Sequence, residues 1–275
     1  MISYRKHKIK QLEMHITHRC NLGCVGCNHY CDFAYKAPIN PEAAFTWMEN
    51  WAQRLQPETF LLLGGEPLLE PRLLDYVRAA ADCFPNSNRN IVTNGLLLSK
   101  WEKDLPPILL ETDTGLELSL YDSSVPEVAA RLRLAVAMLK QWRDRHELRV
   151  IFRKDPQQWR KLYQGDGYAM LPFSQGRPEE SFRVTCLSSR CLTLHQGAIW
   201  DCPTIAYLPM IASRLENKEA WSPYLAYRPL AFTAGESELK TFINKPFPEC
   251  CAMCPVERHY IDHQHKFRPG LNDND

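Results

Sequence analysis

The chain has no long apolar run, no excess of charge of either sign, and no internal repeat or low-complexity block. No window approaches the ~18 apolar residues of a membrane span, and the N-terminal MISYRKHKIKQLEMHIT has basic residues but no apolar h-region. Neither secretion nor membrane insertion is expected, and the sequence reads as cytoplasmic. Lys and Arg number 33 against 32 Asp and Glu, so no global field recruits nucleic acid or an anionic membrane, and neither is an expected partner. Eleven Cys among 275 residues is well below the ~8–10% of a short disulfide scaffold. The number is also odd, which argues against a set of secreted disulfides. Clustered cysteines in such a chain more often bind metal or do redox chemistry.

Apolar patterning over the first ~155 residues alternates strand and helix. Strands are expected over 11–17, 59–63, 90–93, 116–121 and 148–152. Helices are expected from Asn40-Pro41 onward with Ala44, Trp47, Met48, Trp51 and Leu55 inward, over 68–83, over 99–110 with an interruption at Pro106-Pro107, and over 124–146. Ser124-Val125-Pro126-Glu127 fits a capping box for the last of these. Five strands with helical connections predict an α/β fold with a parallel sheet, either doubly wound or a partial (β/α) barrel. In both, chemistry gathers beyond the C-terminal ends of the strands. From about Asp155 the rhythm fades into Gly- and Pro-marked loops, and a boundary is expected near 180, giving units 1–180 and 181–275.

Cys20, Cys24 and Cys27 form Cys-x3-Cys-x2-Cys in the loop after the first strand. Three thiolates at this spacing can hold three irons of a [4Fe–4S] cube and leave the fourth iron open, with Gly23 and Gly26 permitting a tight loop. A zinc site completed by Cys31 or a His is the competing reading. Leu63-Gly64-Gly65-Glu66-Pro67 ends the second strand, where Glu66 can accept hydrogen bonds from an ammonium group. Thr93-Asn94-Gly95 ends the third strand, Ser119 the fourth and Arg153 the fifth, so the unusual polar residues share one rim.

With CNLGCVGC, GGEP and TNG at these positions, the chain resembles the radical S-adenosylmethionine (SAM) superfamily over roughly residues 11–155. The resemblance implies a partial (β/α)6 radical SAM barrel, a [4Fe–4S] cluster on Cys20, Cys24 and Cys27, and SAM chelating the open iron. It places Gly64, Gly65, Glu66 and Pro67 at the methionine ammonium, with Asn94, Ser119 and Arg153 near the ribose or carboxylate. Many members carry an aromatic residue just before the third Cys. This chain has Gly26 there, so adenine contacts fall to backbone or to Tyr30. The implied chemistry is reductive cleavage of SAM to a 5′-deoxyadenosyl radical that abstracts a C–H hydrogen. It needs an external one-electron reductant such as flavodoxin or ferredoxin.

The tail carries Cys186, Cys191, Cys202, Cys250, Cys251 and Cys254. Gly197-x4-Cys202 reads as a hairpin with a glycine turn and a Cys on its return strand. The layout is similar to the small Cys-rich twitch/SPASM-like auxiliary-cluster region of the 2-deoxy-scyllo-inosamine dehydrogenases. By that layout Cys186, Cys202, Cys251 and Cys254 hold a second [4Fe–4S] cluster, with Cys191 and Cys250 as exchangeable candidates. A four-cysteine zinc site and unligated thiols are the alternatives.

Dehydrogenation and epimerisation both follow from C–H abstraction. A second cluster suits the first, and an unligated Cys that donates hydrogen suits the second, with Cys31, Cys191 and Cys250 as candidates. Only about ten residues precede the first strand, short for a leader-recognition domain, which favours a small-molecule substrate, sugar-like or a cyclitol. Asp122, Asp201 and His195 are candidates to bind hydroxyls or move a proton. Modification of a ribosomal peptide and a non-catalytic iron–sulfur electron carrier are the alternative functions.

Overall fold

A computed structural model of the chain describes residues 6–33, 38–121, 124–154, 158–186, 190–262 and 264–268. Its contacts divide into two compact units whose segments interleave along the sequence. The first comprises Met1–Leu22, Lys36–Gln157 and Lys266–Asp275, and the second Gly23–Tyr35 and Gln158–His265.

The chain opens with β1 (His7–Thr17) and the short β2 (Leu22–Cys24), which falls at the junction of the two units. The first unit continues with α1 (Pro41–Ala52), β3 (Leu55–Gly64), α2 (Leu73–Cys83), β4 (Asn88–Thr93), α3 (Leu105–Glu111), β5 (Thr114–Leu120), α4 (Pro126–His146) and β6 (Val150–Lys154). Five of its strands pair in parallel in the order β6-β5-β4-β3-β1. The expected α/β class is therefore observed. The strands succeed one another without the reversal of order that defines a doubly wound sheet, so the winding is that of a (β/α) barrel wall.

Alternation along β1 puts Leu12, Met14 and Ile16 on one face and Glu13, His15 and Thr17 on the other, and all six are buried. Helices cover the apolar face with their own stripes. Ala44, Met48 and Trp51 are buried on α1, and Leu73, Tyr76, Val77 and Ala80 on α2. Met48, Leu73 and Val77 each contribute roughly 1.5–3 kcal/mol on burial. Phe60 stacks on Phe84 at 4.5 Å between ring centres.

Local signals explain most of the boundaries. Asn40 caps α1 by accepting from the Glu42 and Ala43 N–H groups, with Pro41 in the first turn. Leu55, expected on that helix, instead begins β3. Pro106 and Pro107 do not interrupt a helix but sit in the first turn of α3, where proline's missing N–H costs nothing. The expected capping box at α4 is not formed, because Val125 is the N-cap and no side chain bonds to the helix start.

The second unit adds β7 (Gln158–Arg160), α5 (Pro178–Thr185), β8 (Leu192–His195), β9 (Ala198–Trp200), α6 (Pro203–Ile211), α7 (Lys218–Leu225), α8 (Glu236–Asn244), β10 (Tyr260–Asp262) and β11 (His265–Phe267), the last at the junction. β8 and β9 form the expected hairpin. Gln196 and Gly197 both take positive φ, as a two-residue type I′ turn requires. Cys202 is not on the return strand, however. The strand stops at Trp200, and Cys202 is the N-cap residue of α6. The core of this unit packs Ile205, Tyr207, Leu208 and Ile211 of α6 with Tyr30, Trp200 and Trp221. Among the described residues, no helix is long and apolar enough to cross a membrane.

One buried cation stitches the lower edge of the first unit. Arg89 donates to the carbonyls of Phe84 (2.7 Å), Pro85 (3.0 Å), Ser87 (3.1 Å) and Thr112 (2.6 Å). Arg89→Met strands these acceptors and is expected to cost about 3 kcal/mol or more. Urea unfolding measures the loss, and a change below about 1 kcal/mol contradicts this role.

Candidate functional site

The C-terminal ends of β1, β3 and β4 converge in the first unit, and close backbone approach there requires glycine. A β-carbon at Gly64 would lie 2.4 Å from the Thr17 carbonyl oxygen. One at Gly65 would lie 2.2 Å from that of Arg19 and 2.8 Å from the Cys20 β-carbon. The Gly65 N–H donates to Thr17 (2.9 Å) and the Glu66 N–H to Arg19 (2.8 Å). The turn thus lies directly against Cys20. An ammonium ligand is itself a donor, so its partners here would be carbonyls or Glu66.

The Glu66 side chain is fully buried and takes three donors. Its Oε1 accepts from the Leu68 N–H (3.0 Å) and the Thr93 hydroxyl (2.5 Å), and its Oε2 from the Asn94 N–H (2.8 Å). A carboxylate has about four lone-pair sites, which leaves one. Burial pushes the Glu66 carboxyl up to about 7, against the lowering effect of Thr93, Asn94 and Leu68. Asn94 carries the connection further. Its Oδ1 accepts from the Leu96 N–H (3.0 Å) and its Nδ2 donates to Oδ1 of Asn21 (2.8 Å), the residue after Cys20. Asn21 is 2% exposed and its Nδ2 has no partner among the described residues. Leaving such a donor unmet costs roughly 1–3 kcal/mol. Pro67 opens the short 3-10 turn that Glu66 caps.

Ser119 and Arg153 form a separate group on neighbouring strands. They are register partners, and Arg153 donates to Glu117 (2.9 Å) and to the Ser119 hydroxyl (3.4 Å). Asp122 lies outside the described residues.

Cys20, Cys24 and Cys31 are buried and Cys27 is half-buried. The Cys20 sulfur accepts from the Leu22 N–H at 3.4 Å, so this corner already offers a sulfur bonded to backbone. In the second unit, a hydrogen bond from Cys31 lowers the Cys27 thiol below its ordinary value, against burial. Gly26 has φ +74, which strains any side chain there, and a β-carbon would also displace Cδ1 of Ile261, 2.4 Å away. Tyr30 is fully buried, its ring edge-on to Phe33 at 5.9 Å.

The tail thiols come together within the second unit. The Cys202 thiol interacts with that of Cys250 by hydrogen bonding, and Cys250 likewise with Cys251. Cys186 and Cys254 each interact electrostatically with Cys202, and Cys251 with Cys254 and Cys186. Burial, then Cys202, pushes the Cys186 thiol up to about 12, and burial raises Cys254 well above its ordinary value. Iron bound there would displace those protons. Among the described residues, no three His, Cys, Asp or Glu side chains form a ready site for one metal ion. Cys250 thus lies with the four ligand candidates, Cys31 lies beside Cys27, and the Cys191 carbonyl accepts from the Thr193 hydroxyl.

Arg190, Lys245 and Tyr227, which the pattern did not reveal, surround Asp201 beside this group. Asp201, fully buried beside Cys202, pairs with Arg190 and with Lys245 (2.7 Å), and accepts from the Tyr227 hydroxyl (2.5 Å). Arg190 also holds the Phe242 (3.0 Å) and Ile243 (3.1 Å) carbonyls. Asp201 therefore serves as a neutralised brace. His195 is packed edge-on against Tyr207 at 5.0 Å, and burial lowers it to about 4, so it is neutral at physiological pH. Thiolate donors, a glycine turn against Cys20 and an unmet buried donor at Asn21 all suit an iron–sulfur cluster at the first site.

Glu66 has a pH signature. Its folded pKa is above the ordinary 4.5, so the folded state binds more protons between the two values, and stability falls as pH rises from about 4.5 to about 7. In urea unfolding, Glu66→Gln loses the acceptor for Asn94 but also the titration. The stability gap to wild type is therefore expected to narrow by about 2–3 kcal/mol between pH 4.5 and pH 8. A pH-independent gap contradicts the assignment.

No family model matches the chain. Over 101 residues it is 33% identical to GTP 3',8-cyclase of Campylobacter jejuni (strain RM1221), covering 36% of this chain and 31% of that protein. Over 138 residues it is 31% identical to GTP 3',8-cyclase of Nautilia profundicola, covering 48% of this chain and 41% of that protein. The chain spans well under half the length of these curated relatives. Among solved structures it is similar to BtrN in complex with AdoMet and 2-DOIA, with a TM-score of 0.48 and 14% identity, covering 91% of this chain and 94% of that one. With its Cys-x3-Cys-x2-Cys loop, a GGEP turn packed on the first of those cysteines, a TNG turn bonded to Glu66 and these sequence relatives, the chain is similar to the radical SAM superfamily.

Proposed function

We propose that this chain oxidises a small substrate, sugar-like or a cyclitol, at an unactivated C–H bond, with residues 1–180 as the radical SAM core and 181–275 as an auxiliary-cluster region. Cys20, Cys24 and Cys27 would hold one [4Fe–4S] cluster, and Cys186, Cys202, Cys251 and Cys254 a second. When bound, these groups and SAM supply a 5′-deoxyadenosyl radical that takes a hydrogen atom and a cluster that accepts one electron. An external one-electron reductant such as flavodoxin or ferredoxin starts the cycle. Eleven free thiols suit a reducing, cytoplasmic setting.

The observation that carries the dehydrogenase reading is the gathering of five tail thiols around Cys202. Two candidate hydrogen donors of an epimerase are bonded to ligand candidates, Cys31 to Cys27 and Cys250 to Cys202. Glu66, with one lone-pair site unfilled, would receive the SAM ammonium, and Gly64 and Gly65 would offer carbonyls. Arg153 is the cation nearest Ser119 for a carboxylate.

Reduced, reconstituted protein incubated with SAM should release 5′-deoxyadenosine, and none from a fully loaded protein refutes radical chemistry. Two [4Fe–4S] clusters require about eight irons and eight sulfides per chain. Cys202→Ala should lower both to about four while the first cluster remains. Wild-type protein with four irons and one zinc overturns the second cluster. Once a substrate is in hand, a carbonyl product supports dehydrogenation, whereas one solvent deuterium on carbon without oxidation supports epimerisation.

A further inference from the structure

We propose that the side-chain amide of Asn21 is a positioning group that donates its Nδ2 hydrogen bond to sulfur at the Cys20 corner of the iron–sulfur cluster and thereby raises the cluster's reduction potential. The inference rests on the radical SAM reading, but it concerns a residue outside the ligand set and outside the SAM-binding turns.

The orientation of this amide follows from a relay. The Leu96 N–H donates to Oδ1 of Asn94, which fixes the Asn94 amide with its nitrogen on the other side. That nitrogen donates to Oδ1 of Asn21, which in turn directs the Asn21 nitrogen away from Asn94. Flipping the Asn21 amide would set two NH2 groups against each other. The relay is anchored at both ends. The Asn94 N–H is held by the buried Glu66 carboxylate, and the Asn21 carbonyl accepts from the Arg268 N–H at 2.8 Å. Asn21 therefore presents a fixed, buried donor without an acceptor, one peptide unit from a thiol.

A thiolate and the sulfides of a cluster are anionic acceptors, and they become more basic on reduction. A donor held against them stabilises the reduced form and shifts the potential upward. The Leu22 N–H already donates to the Cys20 sulfur from the other side of Asn21. Backbone and side chain of two successive residues thus supply donors for the same corner.

Two substitutions remove the donor, and the first of them keeps the acceptor for Asn94. Asn21→Asp keeps an oxygen for Asn94 but has no NH2, and Asn21→Leu is neutral, of similar size, and also lacks the donor. Redox titration of the reconstituted full chain, followed by the EPR signal of the reduced cluster, is the readout, since a merely structural role would not move it. Both variants should hold the first cluster at wild-type iron content. At a fixed poise, the reduced-to-oxidised ratio should fall about tenfold in Asn21→Leu, which is about 59 mV for one electron, and further in Asn21→Asp because of its charge. An unchanged ratio in Asn21→Leu, or in Asn21→Asp where only that variant loads iron, overturns the proposal. So does an unchanged ratio with weakened SAM binding, which would assign the donor to SAM instead. A wild-type chain that takes up no [4Fe–4S] cluster fails the superfamily reading itself, an outcome visible before any variant is compared.

Discussion

Burying Glu66 with no cation bonded to its carboxylate makes its two oxygens dependent on hydrogen-bond donors, and the rim of the first unit is arranged around that dependence. One oxygen is met by Leu68 of its own turn and by Thr93, the other by the backbone of Asn94. Each bond joins the end of β3 to the turn that follows it or to the end of β4. Because a buried carboxylate short of donors is costly, neither turn can move alone. The same constraint reaches the cysteine loop through Asn94 and Asn21, and through Gly65, whose lack of a β-carbon lets the turn lie against Cys20. A carboxylate that looks like a ligand for substrate or cofactor is thus also the fastener of the site.

The second unit solves a similar problem with opposite charges. Asp201 is enclosed by Arg190, Lys245 and Tyr227, and Arg190 extends the network to the carbonyls at the end of α8. Cys202 immediately follows this brace and starts α6, so the position of its thiol depends on a buried ion pair as well as on the helix. The cost of desolvating Asp201 is offset by its three partners, while Nε of Arg190 has none among the described residues. Of the tail thiols, Cys202 and Cys250 lie within the electrostatic reach of Asp201.

Much of the first unit is legible in the residues. Alternation in β1, the Asn40-Pro41 cap and the apolar stripe on α1 each reflect interactions within a few residues, and the structure retains them. The proline pair at 106–107 shows the limit of local reading, since the same residues that break a helix also begin one. Ser124 shows another. A capping-box spacing is present, yet Val125 occupies the N-cap because Pro126 already sets the first turn. Cys202 sits beyond its hairpin because β9 ends at Trp200, and Pro203 in the first turn of α6 is the local signal for that stop.

By itself the sequence determined the cysteine spacing, the GGEP and TNG turns and the alternation of strands with helices, because these are set by covalent neighbours and short-range periodicity. Only the tertiary structure decided which way the Asn21 amide faces and that Glu66 is buried. It alone brought Lys245 and Arg190 to Asp201 and placed Cys250 among the other tail thiols. Each of these depends on partners far apart along the chain, 73 residues in the case of Asn21 and Asn94. Hydrogen-bond direction and desolvation arise only when distant segments pack, and that packing converts a recognisable motif into a fixed site.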